Sequence, residues 1–421
     1  MPDVVTQWND VLLEVYRKEG GPPGPLARGG AMMHGAIHDA VTSILPVVAP
    51  YLVRVPSTSD ASVEAAVAHA AYDALLAAFP ASKVDLAGEL GKAMSLLPPN
   101  TTTSQIAAGA AVGRAAAAAM VTARKNDGAD DRTPYVALER AGQWRPTDSR
   151  PAANPNWPHV RPFTMTSGSQ FRPARPAGHR SITQLLQSRE YAAQLNEVKE
   201  LGSVTSVRRT SDQTDAAHFW SNDLDGTYKP PGHLFAITQT VSSSRGLDVL
   251  QNAVLFALVA LAMADAALVA WDAKYATDLD LWRPQTAIQL ADDPDQGDRN
   301  PGTVHDATWQ PLSFDNKKAV HFSPPFPAYV SGHATFGAAH AAVMRGFFGT
   351  DNVTFTAASE DPNLAPGTTR TFNSFSEAAR ENGRSRVYLG VHFQWDGDHG
   401  YLSGTALGEH VVDTMLRPLP R

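Results

Sequence analysis

The chain has no cysteine, which excludes a disulfide framework and any thiolate metal site and leaves the redox compartment unmarked. Charge is scarce at 18% of residues, and there is no positive excess, since the formal net charge is -7. That balance excludes a general nucleic-acid binder, because a phosphate backbone favours a basic surface. A local cluster of arginines and histidines can still hold an anion. The amino terminus MPDVVTQWNDVLLEVYRKEGG lacks a basic stretch followed by an apolar core, so no secretory signal is read and cytoplasmic placement is the expectation. Long hydrophobic runs are also few. The most apolar one, Val249 to Trp271, is interrupted by Asp265, and its uncharged part falls short of the roughly 20 residues that cross a bilayer. It reads as a buried central helix, and no membrane span is expected.

Strand-like alternation is equally rare, and the coarse reading is all-alpha. Ala31 to Ile44, Val63 to Phe79 and Ser104 to Lys125 combine alanines with spaced apolar residues and are separated by Pro, Gly, Ser or Asn clusters. Helical character returns at Ile182 to Leu201, Ser211 to Trp220 and Ser244 to Ala273, and again near Ser374 to Tyr388 and His399 to Leu416. From Asn126 to Gly178 periodicity disappears and prolines and tryptophans accumulate, as in an ordered covering segment rather than a linker. The expected organisation is one large helical domain over residues 1–421, with approximate halves 1–180, amino-terminal helices and covering loop, and 181–421, a bundle carrying an anion site. Exposed alanine-rich helices allow a homodimer.

Three segments carry chemistry. In FPAYVSGHATFG, Ser331 can cap a helix and Gly332 lets the chain turn, so that outward-facing N–H groups meet an oxyanion with His333 beside it to donate or transfer a proton. In SRVYLGVHFQWDGDHG, His392 and Asp396 stand four apart, so that on a helix the carboxylate can take a proton from one imidazole nitrogen and leave the other for a substrate or metal centre. Gly390 is expected to break the preceding helix and let Arg386 and His392 converge, while Asp398 and His399 read as the start of the last helix. In WDAKYATDLDLWRPQTAIQL, the Arg283 guanidinium can bind two oxygens of a tetrahedral anion. Lys274, nine positions earlier, points the other way unless the intervening chain leaves helical geometry. His34, His38 and Asp39 share a helix, but no third ligand is evident, so packing or capping accounts for them better than a metal site.

In this order the segments resemble the vanadium-dependent haloperoxidase and type 2 phosphatidic-acid-phosphatase superfamily, in its bacterial haloperoxidase-like branch. The signature of that superfamily is Lys-x6-Arg-Pro, Pro-Ser-Gly-His and Arg-x5-His-x3-Asp. Arg386, His392 and Asp396 match the last part at every named position. Val330 replaces the usual proline before Ser331, and two extra residues separate Lys274 from Arg283. Either Lys274 enters the site over a bulge, or Ala276 occupies the lysine position and one cationic ligand is missing. WNDVLLEVYR, MMHGAIHDAVTSI and FPAYVSGHATF extend the resemblance over most of the chain.

The resemblance implies a vanadium haloperoxidase-like fold of two four-helix bundles with long loops over the active site. It implies vanadate as cofactor, with phosphate able to occupy the same site, and hydrogen peroxide, a halide and a small organic molecule as substrates. His392 would ligate vanadium, and Lys274, Arg283, Ser331, Gly332 and Arg386 would hold its oxygens. His333 would manage protons, Asp396 would orient His392, and Phe326 falls at the halide pocket. The same residues suit an acid phosphatase acting through a phosphohistidine. A non-halogenating relative that rearranges a natural product by acid–base chemistry is the third reading.

Overall fold

The computed structural model describes residues 3–419. Fourteen α-helices form among them: α1 (Val4–Glu19), α2 (Pro23–Ile44), α3 (Val63–Ala78), α4 (Leu86–Ser95), α5 (Thr103–Arg124), α6 (Ile182–Leu186), α7 (Arg189–Leu201), α8 (Ser211–Phe219), α9 (Lys229–Arg245), α10 (Val249–Tyr275), α11 (Pro284–Gln289), α12 (Gly332–Phe348), α13 (Phe375–Tyr388) and α14 (Gln394–Thr414). Strand is confined to two antiparallel hairpins, Phe314–Asp315 with Val320–His321 and Phe355–Ala358 with Thr369–Phe372. Helix makes up 53% of the chain and strand 4%, so the all-alpha expectation holds.

Helix α10 organises the molecule. It packs against α2, which with α3 and α5 forms one bundle, and against α12 and α14, which with α13 form a second. By length and composition α10 and α5 would each be long and apolar enough to cross a membrane, but 94% of the apolar window of α10 is buried inside the protein. It is the shared core helix of both bundles. The one charge in its middle has a structural task. Asp265 accepts hydrogen bonds from the Phe163, Thr164 and Met165 N–H groups at 2.7, 2.7 and 3.1 Å and from the Thr164 hydroxyl at 2.6 Å. Two turns on, Asp272 pairs with Arg172 at 2.6 Å. The two carboxylates fasten the proline-rich covering segment to the core, which removes most of the cost of burying them.

The second bundle depends on close backbone approach. Side chains at Gly400, Gly404 and Gly408 of α14 would meet the Ser331, Thr335 and Ala339 carbonyl oxygens of α12 at 2.9, 2.2 and 2.5 Å. Only glycine at these positions lets the two helices lie this near. The contact brings the two helix starts together, and the Ser331 N–H donates to the Asp396 carbonyl at 2.9 Å.

Several boundaries differ from expectation. Ser244 lies in the last turn of α9 instead of starting α10, because Gly246 turns left-handed at φ 63° and Asp248 caps a new helix. α14 begins at Gln394, so Asp398 and His399 lie inside it rather than at its start. α9 itself begins on Lys-Pro-Pro, which the first helical turn tolerates because its N–H groups have no intrahelical acceptor.

His34 and His38 are held by packing and hydrogen bonds. His34 lies against Phe235 and Phe256, with Nε2 3.3 Å from Asn9 Oδ1. His38 meets the Ala49 carbonyl at 3.0 Å, and Asp39 accepts from three successive N–H groups, Tyr51 to Val53. Burial pushes His34 down to about 3. Below pH 6.5 the unfolded chain therefore takes up a proton that the folded chain refuses, and stability falls by about 1.4 kcal/mol per pH unit from this group. We predict that H34Q is less stable than the wild type at pH 7.5 and that urea midpoints show the gap narrowing by about 2 kcal/mol at pH 5. An equal gap at both pH values would show that His34 is not held neutral.

Candidate active site

Four elements converge at the start of α12. Ser331 is its N-cap, with a hydroxyl that accepts from the Ala334 N–H at 3.4 Å. The first N–H groups after it, including that of Gly332, have no intrahelical acceptor and face outward. α13 supplies Arg386 from its last turn, and Gly390 then reverses the chain at φ 80°. A side chain at Gly390 would meet the Gly202 carbonyl at 2.4 Å. This tight reversal sets His392 between the end of α13 and the start of α14. From α14 comes Asp396, and from the residue before α11 comes Arg283.

The hydrogen bonds fix the tautomer of His392. Its Nδ1 lies 2.9 Å from Asp396 Oδ2, and its Nε2 lies 3.1 Å from Arg283 Nη1. A guanidinium can only donate, so Nε2 carries the lone pair and Nδ1–H is donated to the carboxylate. Asp396 Oδ2 also accepts from the Phe393 N–H at 3.1 Å. At His333 the Ser221 carbonyl lies 3.0 Å and Arg386 Nη1 3.2 Å from the same Nε2, so one partner calls for a hydrogen there and the other for a lone pair.

Both arginines are fully buried. Arg283 donates Nε–H to the Phe326 carbonyl and Nη1–H to the Val391 carbonyl, each at 2.7 Å, and its Nη2 is buried with no partner. Arg386 donates to the Ala217 carbonyl at 2.9 Å and lies 3.5 Å from Asp223. Burial lowers Arg283 to about 9 and Arg386 to about 10, against the pull of Asp396 and Asp223 respectively, so both are cations at neutral pH. Burial, followed by Arg283, Lys274 and Arg386, holds His392 well below the usual imidazole value. Burial and then Arg386 do the same to His333. Burial raises Asp396, opposed first by Lys274. The two imidazoles are therefore neutral at pH 7 while no anion is bound.

Gly332, His333, Arg386 and His392 line a cavity of about 250 Å³ with Trp271 and Phe326. Ser331, Arg283 and Asp396 lie behind them. The ring of Phe326 is 4.9 Å from that of Trp271 and 4.7 Å from the Arg283 guanidinium carbon.

Lys274 is the exception among the expected anion ligands. The chain does leave helical geometry after Tyr275, with Asp280 at φ 39°. The ammonium is fully buried, but it donates to the Pro327, Ala328 and Val330 carbonyls at 2.7, 3.1 and 2.6 Å. All three donors are used, so none remains for a bound anion. Ala276 places no cation in the site either.

Sequence reasoning missed Asp223, which lines the cavity beside Arg386. Burial raises its pKa and Arg386 opposes that rise. It lies in SNDLDG, where no spacing marks it. His399 meets the Tyr329 hydroxyl at 2.6 Å instead of joining this cluster.

The fold and the site define a class: helical-bundle proteins with a cavity lined by buried arginine and histidine side chains. Residues 254–420 match the model of the VCPO second helical-bundle domain. The vanadium chloroperoxidase of Curvularia inaequalis is 27% identical, over 92% of this chain and 78% of the relative. The first bacterial vanadium-dependent iodoperoxidase to be solved superposes with a TM-score of 0.80 at 22% identity, over 99% of this chain and 96% of that one. A holo-type bacterial vanadium-dependent chloroperoxidase gives 0.71 at 18% identity, over 93% and 91%. The chain therefore has the vanadium haloperoxidase fold.

Replacing Asp396 tests the tautomer. In D396N the amide nitrogen can donate to Nδ1, which moves the histidine hydrogen to Nε2 and sets it against the Arg283 donor. We expect orthovanadate affinity, measured by titration calorimetry, to fall about 10-fold to 100-fold. Unchanged affinity would show that Asp396 does not set the free nitrogen of His392.

Proposed function

We propose that the protein is a vanadate-dependent haloperoxidase that oxidises halide with hydrogen peroxide and halogenates a small organic substrate. One observation carries the reading: Arg283 Nη2, buried without a partner, stands in the same guanidinium as the Nη1 that faces the His392 lone pair. An orphaned cationic donor beside a neutral imidazole lone pair, near an outward-facing helix start, fits an oxyanion whose central atom accepts a nitrogen ligand.

In this reading His392 Nε2 is the protein ligand to vanadium. Arg283, Arg386, the Ser331 hydroxyl and the Gly332 N–H hold its oxygens. Vanadate, when bound, supplies the Lewis-acidic centre that makes peroxide oxygen electrophilic towards halide. The protein's part is positioning and charge. Asp396 keeps the lone pair of His392 on Nε2. Arg283 and Arg386 draw negative charge from the anion. His333, which lines the cavity, would take a proton from peroxide or water and return it. Phe326 gives the halide an apolar wall next to Trp271.

The relative at 27% identity, a vanadium chloroperoxidase, favours this reaction over phosphate-ester hydrolysis. The cavity wall mixes prolines and phenylalanines with charged and histidine side chains. Its one tryptophan, Trp271, has its indole N–H tied to the Ala153 carbonyl at 3.0 Å.

We predict vanadate-dependent bromination of a phenol-type dye by hydrogen peroxide, with activity abolished in H392A. Metal-independent hydrolysis of an aryl phosphate without any bromination would assign the site to the phosphatase reaction instead. Near-normal turnover in H392A would remove His392 from the chemistry altogether.

A further inference from the structure

We propose that Lys274 is a positioning residue: its buried ammonium clamps the 326–330 segment so that Phe326, Ser331 and the Gly332 N–H reach the oxyanion site, and it does not touch the anion. The proposal rests on the oxyanion site but not on which reaction that site performs.

The geometry is that of a tripod. The Pro327, Ala328 and Val330 carbonyls lie 2.7, 3.1 and 2.6 Å from Nζ. Three acceptors around one nitrogen match the three N–H bonds of an ammonium, whereas a neutral amine has only two. The same stretch is gripped at neighbouring points. Arg283 Nε–H holds the Phe326 carbonyl at 2.7 Å, and the Ala328 N–H donates to the Leu281 carbonyl at 2.8 Å. The peptide joining Val330 to Ser331 is held at both ends, its oxygen by Lys274 and its N–H by the Asp396 carbonyl at 2.9 Å. The ammonium also lies 5.0 Å from the centre of the Phe326 ring and 5.8 Å from that of Trp271, two rings that line the cavity.

The two extra residues between Lys274 and Arg283 explain why the lysine can do this. Beyond Tyr275 the chain runs through an irregular turn, Gln143 bridges to Leu281, and the Trp282 N–H donates to the Gly142 carbonyl at 2.8 Å. Arg283 thus reaches the site from a separate anchor, and Lys274, still on the last turn of α10, meets the back of the 326–330 segment. Its charge acts on the anion through space and through the carbonyls it holds.

The test uses the full chain with K274M and K274R. Methionine removes the clamp and the charge. Arginine keeps the charge, but its planar fork does not match three acceptors arranged around a tetrahedral nitrogen. Without added anion, hydrogen–deuterium exchange over residues 326–333 of K274M should rise while the rest of the chain exchanges as in the wild type. Affinity for orthovanadate and for inorganic phosphate should fall about tenfold, and K274R should also bind more weakly than the wild type. Weakened binding by K274M with unchanged exchange over 326–333 would make Lys274 a direct ligand and overturn the proposal. So would K274R binding as the wild type does, which also decides the matter if K274M fails to fold. A wild-type protein that binds neither anion would contradict the oxyanion site itself, while the exchange comparison would still judge the clamp.

Discussion

Buried positive charge is the constraint that shapes this molecule. Lys274, Arg283 and Arg386 are all fully buried, and the carboxylates that act on them are Asp223, Asp361 and Asp396. Burying an ion costs several kcal/mol unless partners restore what water provided. Backbone carbonyls restore much of it: three around Lys274, those of Phe326 and Val391 at Arg283, and that of Ala217 at Arg386. Arg283 Nη2 is left without one. Under the proposed function, a buried cationic donor without a protein partner is preorganised for an anion.

The helices are arranged to make that possible. The glycines of α14 let α12 approach until the two helix starts share a hydrogen bond, Ser331 N–H to Asp396 carbonyl. That contact sets the outward N–H groups of α12 against the His392–Asp396 pair. α10 brings Trp271 to the same cavity and, through Asp265 and Asp272, holds the covering segment in place. Stability and function therefore draw on the same helix. The apolar run that resembles a membrane span is the axis on which both bundles are assembled.

Much of this was legible in the sequence, and the limits have physical causes. Arg386, His392 and Asp396 could be placed because their relation is local: Gly390 ends a helix and a short link starts the next. Ser331 was readable as a cap for the same reason. The direction of Lys274 was not readable, because its acceptors are carbonyls more than fifty residues away and carbonyls carry no residue signature. Asp223 is defined only by its tertiary neighbour Arg386. The early start of α14 was hidden by Gly397 and Gly400, glycines that weaken the helical pattern and yet are needed for close packing. α4 was missed for a related reason, since Gly88 and Gly91 interrupt it.

The central claim is that a single oxyanion fills the space between Arg283, Arg386 and His392, and the most direct measurement is a crystal structure of the wild-type protein soaked with orthovanadate. The account predicts one vanadium atom bonded to His392 Nε2 as its only protein ligand, with Arg283 Nη2 donating to one of its oxygens and Lys274 still on its three carbonyls. Vanadate bound elsewhere, or a vanadium site in which His392 Nε2 is unbonded and Arg283 Nη2 remains without a partner, would contradict it.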